Sequence, residues 1–216
     1  MPIEFNMIAV ILLPLVVALV IGFLSTPIVK SFAYKLGAID VPKDERRMHK
    51  VPIPRMGGLA IFLGFIISVL LFVEVDDQMK GILLGSVIIV VMGIIDDITP
   101  LRASLKFVIQ ILAALIPVYY GVQITCVSNP NLFSDNPYWN FGWLSIPITV
   151  IWIVGLTNAV NLIDGLDGLA IGVSSISALT MLAIAILVAE PQVAVIMAAL
   201  VGACIGVMPY NMNPAK

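Results

Sequence analysis

"TNAVNLIDGLDGLA", Thr157 to Ala170, sets two Asn and two Asp at three-residue steps between long apolar runs. The chain around it is 61% hydrophobic and 11% charged over 216 residues. A polar cluster in such surroundings is either a solvated turn between membrane helices or a binding site at the membrane edge. The rest of the sequence has to choose.

A mean hydropathy of +1.11 lies outside the soluble globular range and places the chain in the membrane class. Apolar runs of helix-compatible length recur at 7–29, 57–75, 81–95, 105–120, 141–160, 169–189 and 193–208. None alternates with period two, as the strands of a lipid-facing barrel would. The expectation is an all-α polytopic membrane helical bundle of about seven transmembrane helices, forming one integral-membrane domain over residues 1–216. The leader of the first run carries Glu4 and no Lys or Arg, so this run is expected to stay attached rather than be cleaved as a signal peptide. Cys126 and Cys204 fall at different depths and imply no disulfide framework.

Orientation follows from Lys and Arg, which cytoplasmic loops retain. Lys30, Lys35, Lys43, Arg46, Arg47, Lys50 and Arg55 lie between the first two spans, Arg102 and Lys106 follow the third, and Lys216 follows the seventh. Only Lys80 falls on the opposite side. The N-terminus is therefore expected outside and the C-terminus in the cytoplasm, with cytoplasmic loops at about 30–56, 96–104, 158–168 and 209–216. Tyr119, Tyr120, Tyr138, Trp139 and Trp143 border the external segment, as interfacial anchors do.

Ionisable groups are costly in a membrane chain, so the position of each carboxylate is informative. Asp40, Asp44, Glu45, Asp96, Asp97, Asp164 and Asp167 all fall on the cytoplasmic side, and none is expected near the middle of a span. The third run, 81–95, would give a helix of roughly 22 Å against a hydrocarbon core of roughly 30 Å. It is expected to continue toward Thr99, setting Asp96 and Asp97 at the boundary. Two adjacent anions there call for cations, and Arg102 and Lys106 share a helix face with Gln110 a further turn along. A charged turn that neutralises itself is the plain alternative.

In the opening stretch, Asn158, Asn161, Asp164 and Asp167 share one face if the helix continues, whereas Gly165 and Gly168 favour a break. Carboxylates beside the N-terminus of a following helix suit a phosphate-bearing ligand with a metal ion, and a polar hairpin is again the bland option. Between the first and second spans, "GAIDVPKDERRMHKVPIPRMGG" holds the only His of the chain, His49, with Pro52, Pro54, Arg55, Gly57 and Gly58. A polybasic juxtamembrane loop is commonly a topology signal or a lipid-headgroup contact, but the Pro and Gly spacing favours a shaped loop.

With "RRMHKVPIPRMGG", the "DD" of "GIIDDITPLRASLKFVIQ" and "NAVNLIDGLDGLA" in order along the chain, the sequence resembles the polyprenyl-phosphate N-acetylhexosamine-1-phosphate transferases. The resemblance implies transfer of a sugar 1-phosphate, GlcNAc-1-phosphate in particular, from a UDP-sugar to undecaprenyl phosphate with release of UMP. That would be the first membrane step of a cell-envelope polymer such as teichoic acid. "PIPRMGG" is similar to the branch using UDP-N-acetylglucosamine, whereas the peptidoglycan branch usually reads Gly-Thr-Pro-Thr-Met-Gly-Gly there. The family pattern continues beyond "NMNPAK" with a segment containing a further metal-ligating Asp and a later His-containing loop. The chain therefore looks like the N-terminal part of such an enzyme.

On that resemblance, Mg²⁺, or Mn²⁺ in its place, is the implied cofactor, with Asp97, Asp164 and Asp167 near the metal. Asp96, Asp97 and Lys106 are the catalytic candidates, and Asn158, Asn161, Asp164, Asp167, Arg55 and His49 the substrate-binding ones. Asp96 would keep the lipid phosphate ionised and Lys106 and Arg55 would neutralise phosphate oxygens. Implied partners are undecaprenyl phosphate, a UDP-N-acetylhexosamine and the bilayer, with a homodimer left open and no nucleic acid. The implied location is the plasma membrane, multi-pass, with the active face cytoplasmic. The rival readings are a membrane transporter, which would place ionisable groups at mid-membrane, and an inactive fragment or scaffold lacking the downstream Asp and His.

Overall fold

A computed structural model describes residues 5–40, 53–131 and 136–213. These residues form seven α-helices: α1 (Phe5–Leu36), α2 (Gly57–Phe72), α3 (Asp77–Ile98), α4 (Ala103–Tyr119), α5 (Ser145–Ile163), α6 (Leu169–Leu187) and α7 (Pro191–Asn211). Two short antiparallel ladders accompany them: β1 (Ile39–Asp40) with β2 (Ile53–Pro54), and β3 (Cys126–Ser128) with β4 (Tyr138–Asn140). Five helices are long and apolar enough to cross a membrane, counting α5 from Gly142, while α2 and α4 are shorter apolar helices. At 16 and 17 residues those two reach about 24 and 25 Å, just under the hydrocarbon thickness. The chain is thus a polytopic all-α membrane bundle, as its composition required.

Helix ends differ from the apolar runs where polar residues cap them. α3 begins at Asp77 rather than Gly81 because the Asp76 carboxylate accepts the Met79 N–H at 2.7 Å, an N-cap that draws a polar first turn into the helix. Lys80 and Asp77 then pair at 2.7 Å on that turn. α1 extends past Val29 through Lys30 and Lys35, cations being favourable near a helix C-terminus. It stops at Gly37, whose φ of +75 admits the Ala38 N–H to the Ala33 carbonyl at 2.9 Å.

The chain divides into two compact units, the first comprising Met1–Glu74, Gly93–Pro100 and Leu162–Lys216, the second Val75–Met92 and Leu101–Asn161. In the first, α1, α2, α6 and α7 pack on one another through small residues. A Cβ on Gly64 would come within 2.7 Å of the Ala18 carbonyl, and one on Gly202 or Gly206 would collide with the carbonyl of Leu15 or Leu19. Gly202 and Gly206 are four apart, the spacing that lets two membrane helices approach backbone to backbone. Ser68, fully buried on α2, donates to the carbonyl of Pro14 inside α1 at 2.8 Å.

The second unit uses the same device. Gly81 and Gly85 on α3 admit Pro117, Tyr120 and the Ala113 carbonyl of the α4 region, and a methyl on either glycine would lie only 2.7 to 3.2 Å from these groups. The β3–β4 ladder is fastened to α5 because the Thr149 hydroxyl accepts the Ile124 N–H at 2.8 Å and donates to the Ser145 carbonyl at 2.6 Å. Tyr119 and Trp143 are exposed, as interfacial anchors are.

Gly202→Ala and Gly206→Ala are each expected to cost about 1–3 kcal/mol by forcing α1 away from α7. Gly172→Ala, with no atom within 4 Å of the new methyl, is the neutral control. Thermal unfolding in detergent checks this, and equal midpoints for Gly202→Ala and Gly172→Ala would reject the packing.

Candidate functional site

The last turn of α3 carries Asp96 and Asp97, where the helix dipole disfavours negative charge. Both side chains are half-buried. The helix therefore needs other groups to hold its acidic end, and the neighbourhood of Asp97 supplies two. Its Oδ2 accepts the Met56 N–H at 3.1 Å, and Arg55 lies within its electrostatic reach, as do Asp96 and Asp164.

Met56 is positioned by the "PIPRMGG" segment. The β1–β2 ladder aligns Ile39 with Pro54 and Asp40 with Ile53, and the Arg55 N–H donates to the Ala38 carbonyl at 2.9 Å. That ladder brings together the two ends of the intervening loop. Met56 then turns into the left-handed region, φ 74, immediately before α2. A non-glycine residue there costs of order 1–3 kcal/mol. Its side chain is 5% exposed and anchored among Val29, Ala33, Ala38, Ala60, Ile171, Cys204 and Val207, so core packing holds the strained turn whose amide faces Asp97. Arg55 itself is exposed.

The opening stretch resolves into a helix end and a turn. α5 continues to Ile163, so Asn158 and Asn161 are helical, while Asp164 and Asp167 fall in the turn before α6. The four do not share one helix face. Gly168 has φ +77 and donates its N–H to Asn211 Oδ1 at 3.1 Å, which ties the turn to the last residue of α7. Asp164 stands at the edge of this turn, with its carboxylate accessible yet crowded by protein atoms whose desolvation raises its pKa above the ordinary carboxylate value.

Asp96, Asp97, Asp164, Asp167 and Arg55 belong to the first unit, whereas Lys106, Asn158 and Asn161 belong to the second. Lys106 is half-buried in the first turn of α4, its N–H bonded to the Arg102 carbonyl at 3.1 Å. Asn158 donates to Gln110 Oε1 at 2.7 Å and to the Val154 carbonyl at 2.8 Å, while Asn161 is exposed. His49 lies outside the described residues, with most of its basic loop. Three pairings carried no signal in the sequence: the Met56 amide with Asp97, Gln110 with Asn158, and Asn211 with Gly168. Each acts through a contact between segments distant along the chain.

Among the described residues no three Asp, Glu, His or Cys side chains converge as a metal site, so Asp167 does not complete a three-ligand group with Asp97 and Asp164. Mg²⁺ makes no such demand. It is commonly held by one or two carboxylates, with waters and substrate phosphates filling its octahedron. Asp97 and Asp164, carboxylates carried by the same unit, are oxygen donors of the kind that set uses.

The sequence pattern of glycosyl transferase family 4 matches residues 79–216, which include Asp96, Asp97, Lys106 and the whole of the opening stretch. The chain is 40% identical over 207 residues to a probable undecaprenyl-phosphate N-acetylglucosaminyl 1-phosphate transferase of Bacillus subtilis, covering 95% of this chain and 57% of that protein. A decaprenyl-phosphate N-acetylglucosaminephosphotransferase of Mycobacterium tuberculosis is 35% identical over 221 residues, covering 92% of this chain and 53% of its own length. A phospho-N-acetylmuramoyl-pentapeptide-transferase of Caldicellulosiruptor bescii is 34% identical over 217 residues, with 94% and 67% covered. The chain spans little more than half the length of the first two relatives. The family pattern covers more than half of the chain and includes both the acidic end of α3 and the acidic turn after α5, which leads to one conclusion: the chain belongs to glycosyl transferase family 4.

Proposed function

We propose that the protein of which this chain is part transfers N-acetylglucosamine 1-phosphate from UDP-N-acetylglucosamine to undecaprenyl phosphate, at the cytoplasmic face of the plasma membrane. The observation that carries this reading is the acidic end of α3, where the Met56 amide holds the Asp97 carboxylate, in the same unit as Arg55 and the acidic turn of Asp164. Like charges gathered at helix ends are unfavourable unless a cation joins them. Relatives named for a polyprenyl-phosphate acceptor and an N-acetylglucosamine phosphate group support the substrate class. The location of ten of the eleven Lys and Arg on one side supports the cytoplasmic face.

In this reading a phosphate oxygen of the lipid attacks the phosphorus bonded to the sugar. The new P–O bond forms as the bridging P–O bond to UMP breaks, and UMP leaves with that oxygen. Mg²⁺ held by Asp97 and Asp164 would neutralise the diphosphate and the leaving group. Asp96 takes the remaining proton of the lipid phosphate on a carboxylate oxygen, since a phosphate monoester titrates near pH 6. The Arg55 guanidinium stabilises phosphate oxygens by charge-assisted hydrogen bonds. The Met56 amide keeps one Asp97 oxygen in place, so the other is presented in a set direction. A polyprenyl tail stays in the bilayer while its phosphate lies at headgroup depth, where helix ends meet it. The product would prime an envelope polymer such as teichoic acid.

In the full-length protein, Asp97→Asn is expected to lower Mg²⁺-dependent UMP release by at least about 10²-fold while the protein remains folded in membranes. Near-normal turnover would reject the assignment.

Asp164 provides a test of opposite sign. Its raised pKa means that the folded chain holds this proton more tightly than the unfolded chain. The associated stability is present below the ordinary carboxylate pKa and is lost as pH rises through the raised value. At pH 7.5 without divalent ions, Asp164→Asn should therefore unfold at the same temperature or higher. It should lose both Mg²⁺-induced stabilisation and UMP release. A lower midpoint in EDTA would contradict this.

A further inference from the structure

We propose that the β3–β4 hairpin lies on the bilayer surface, with the face carrying Val127 and Trp139 against lipid and the face carrying Cys126 and Ser128 against water. This placement involves the second unit alone and is independent of the transferase reading. Strand pairing sets Val127 opposite Trp139, with Cys126 opposite Asn140 and Ser128 opposite Tyr138 on either side. Successive side chains of a strand point to opposite faces. One face of the hairpin is therefore the Val127–Trp139 pair, and the other bears a thiol, a hydroxyl, a phenol and an amide. Val127 is 46% exposed and Trp139 53%, so the fold leaves the apolar pair half uncovered.

The points at which the hairpin is fastened decide what meets that face. α4 has 17 residues and spans about 25 Å, roughly 5 Å short of the hydrocarbon thickness, so the chain leaves it at the edge of the apolar layer. Gly121, at φ +93, then turns the chain back, and the Val122 N–H reaches the Pro117 carbonyl at 2.9 Å. Two residues on, the Ile124 N–H donates to the Thr149 hydroxyl near the start of α5 at 2.8 Å. The hairpin is closed by the Phe141 N–H on the Thr125 carbonyl and the Asn129 N–H on the Pro137 carbonyl. Val127 follows Ile124 by three residues, at most about 10 Å of strand. Even standing upright, the first strand would barely clear a headgroup layer of roughly 5–8 Å. Composition agrees with that depth. Between Lys106 and Asp164 the one charged residue is Asp135, while Trp139 and Trp143 supply indoles, apolar in the ring and hydrogen-bonding at the N–H. A face of two side chains is also far smaller than the roughly 800 Å² that each partner of a stable protein complex buries. Lipid needs no such area.

The test uses the full-length protein reconstituted in phosphatidylcholine vesicles. Trp139 emission, taken as the difference between wild type and Trp139→Phe, should be quenched by phosphatidylcholine brominated high on its acyl chains and shielded from iodide in the water. Thiol reactivity along β3 should alternate, with labelling by a membrane-impermeant maleimide read from the mass of the hairpin peptide. On a Cys126→Ser background, Val127→Cys should react about 10-fold more slowly than Cys126 does in wild type, because a thiol against acyl chains holds less thiolate. Ser128→Cys on the same background should react as fast as Cys126. Equal rates at the three positions, or Trp139 emission open to iodide, would put both faces in water and overturn the proposal. Shielding from iodide without quenching by brominated lipid would mean that protein covers the face, and would overturn it as well. Should a cysteine variant fail to fold, the quenching of Trp139 decides alone. None of these readouts involves UMP release, so the transferase reading stands or falls separately.

Discussion

Two carboxylates cannot approach each other at the end of apolar helices unless something offsets the repulsion and the loss of water. Asp97 at the end of α3 and Asp164 in the turn before α6 belong to the same unit, and the surrounding structure holds each of those segments in place. Burial among the membrane helices anchors the Met56 side chain, the anchored side chain maintains a left-handed turn, and the turn aims an amide at Asp97. A clamp between β1 and β2 delivers Arg55 beside the same carboxylate. The acidic end of α3 is thus supported by a backbone dipole and a cation, both from one short loop.

Close helix packing makes that support possible. In lipid there is no hydrophobic drive between apolar helices, so contact depends on surfaces that fit. Gly64, Gly202 and Gly206 let α1, α2 and α7 meet at their backbones, and the core cluster around Met56 is built on that bundle. Asn211, at the end of α7, also accepts the Gly168 N–H and so fastens the Asp164 turn to the same framework. The second unit is packed through Gly81 and Gly85 against α4, with the Gln110 and Asn158 amides bonded between α4 and α5.

Much of this was legible in the residues. Apolar runs predicted every helix, because a backbone in hydrocarbon must satisfy its own hydrogen bonds and runs of that length have few other options. Boundaries were less legible: Asp76 as a cap moved the start of α3 into a polar turn, and Gly37 rather than the first Lys ended α1. Asp96, Asp97, Asp164 and Asp167 stood out because charge is rare in such a chain. Met56 did not, since its contribution is a main-chain N–H that every residue except proline possesses. Gln110 was visible as a polar residue on an apolar helix, but its partner lies 48 positions away.

By itself the sequence determined the class of solvent, the number of apolar helices and which side chains carry charge, because these depend on composition and on local periodicity. Tertiary structure alone decided that the Met56 amide meets Asp97, that among the described residues Asp97, Asp164 and Asp167 form no three-ligand group, and that Asn158 spends both hydrogens within the protein. The reason is distance along the chain: an ångström-scale hydrogen bond or ion contact between remote segments is set by how helices pack, and no local pattern encodes that.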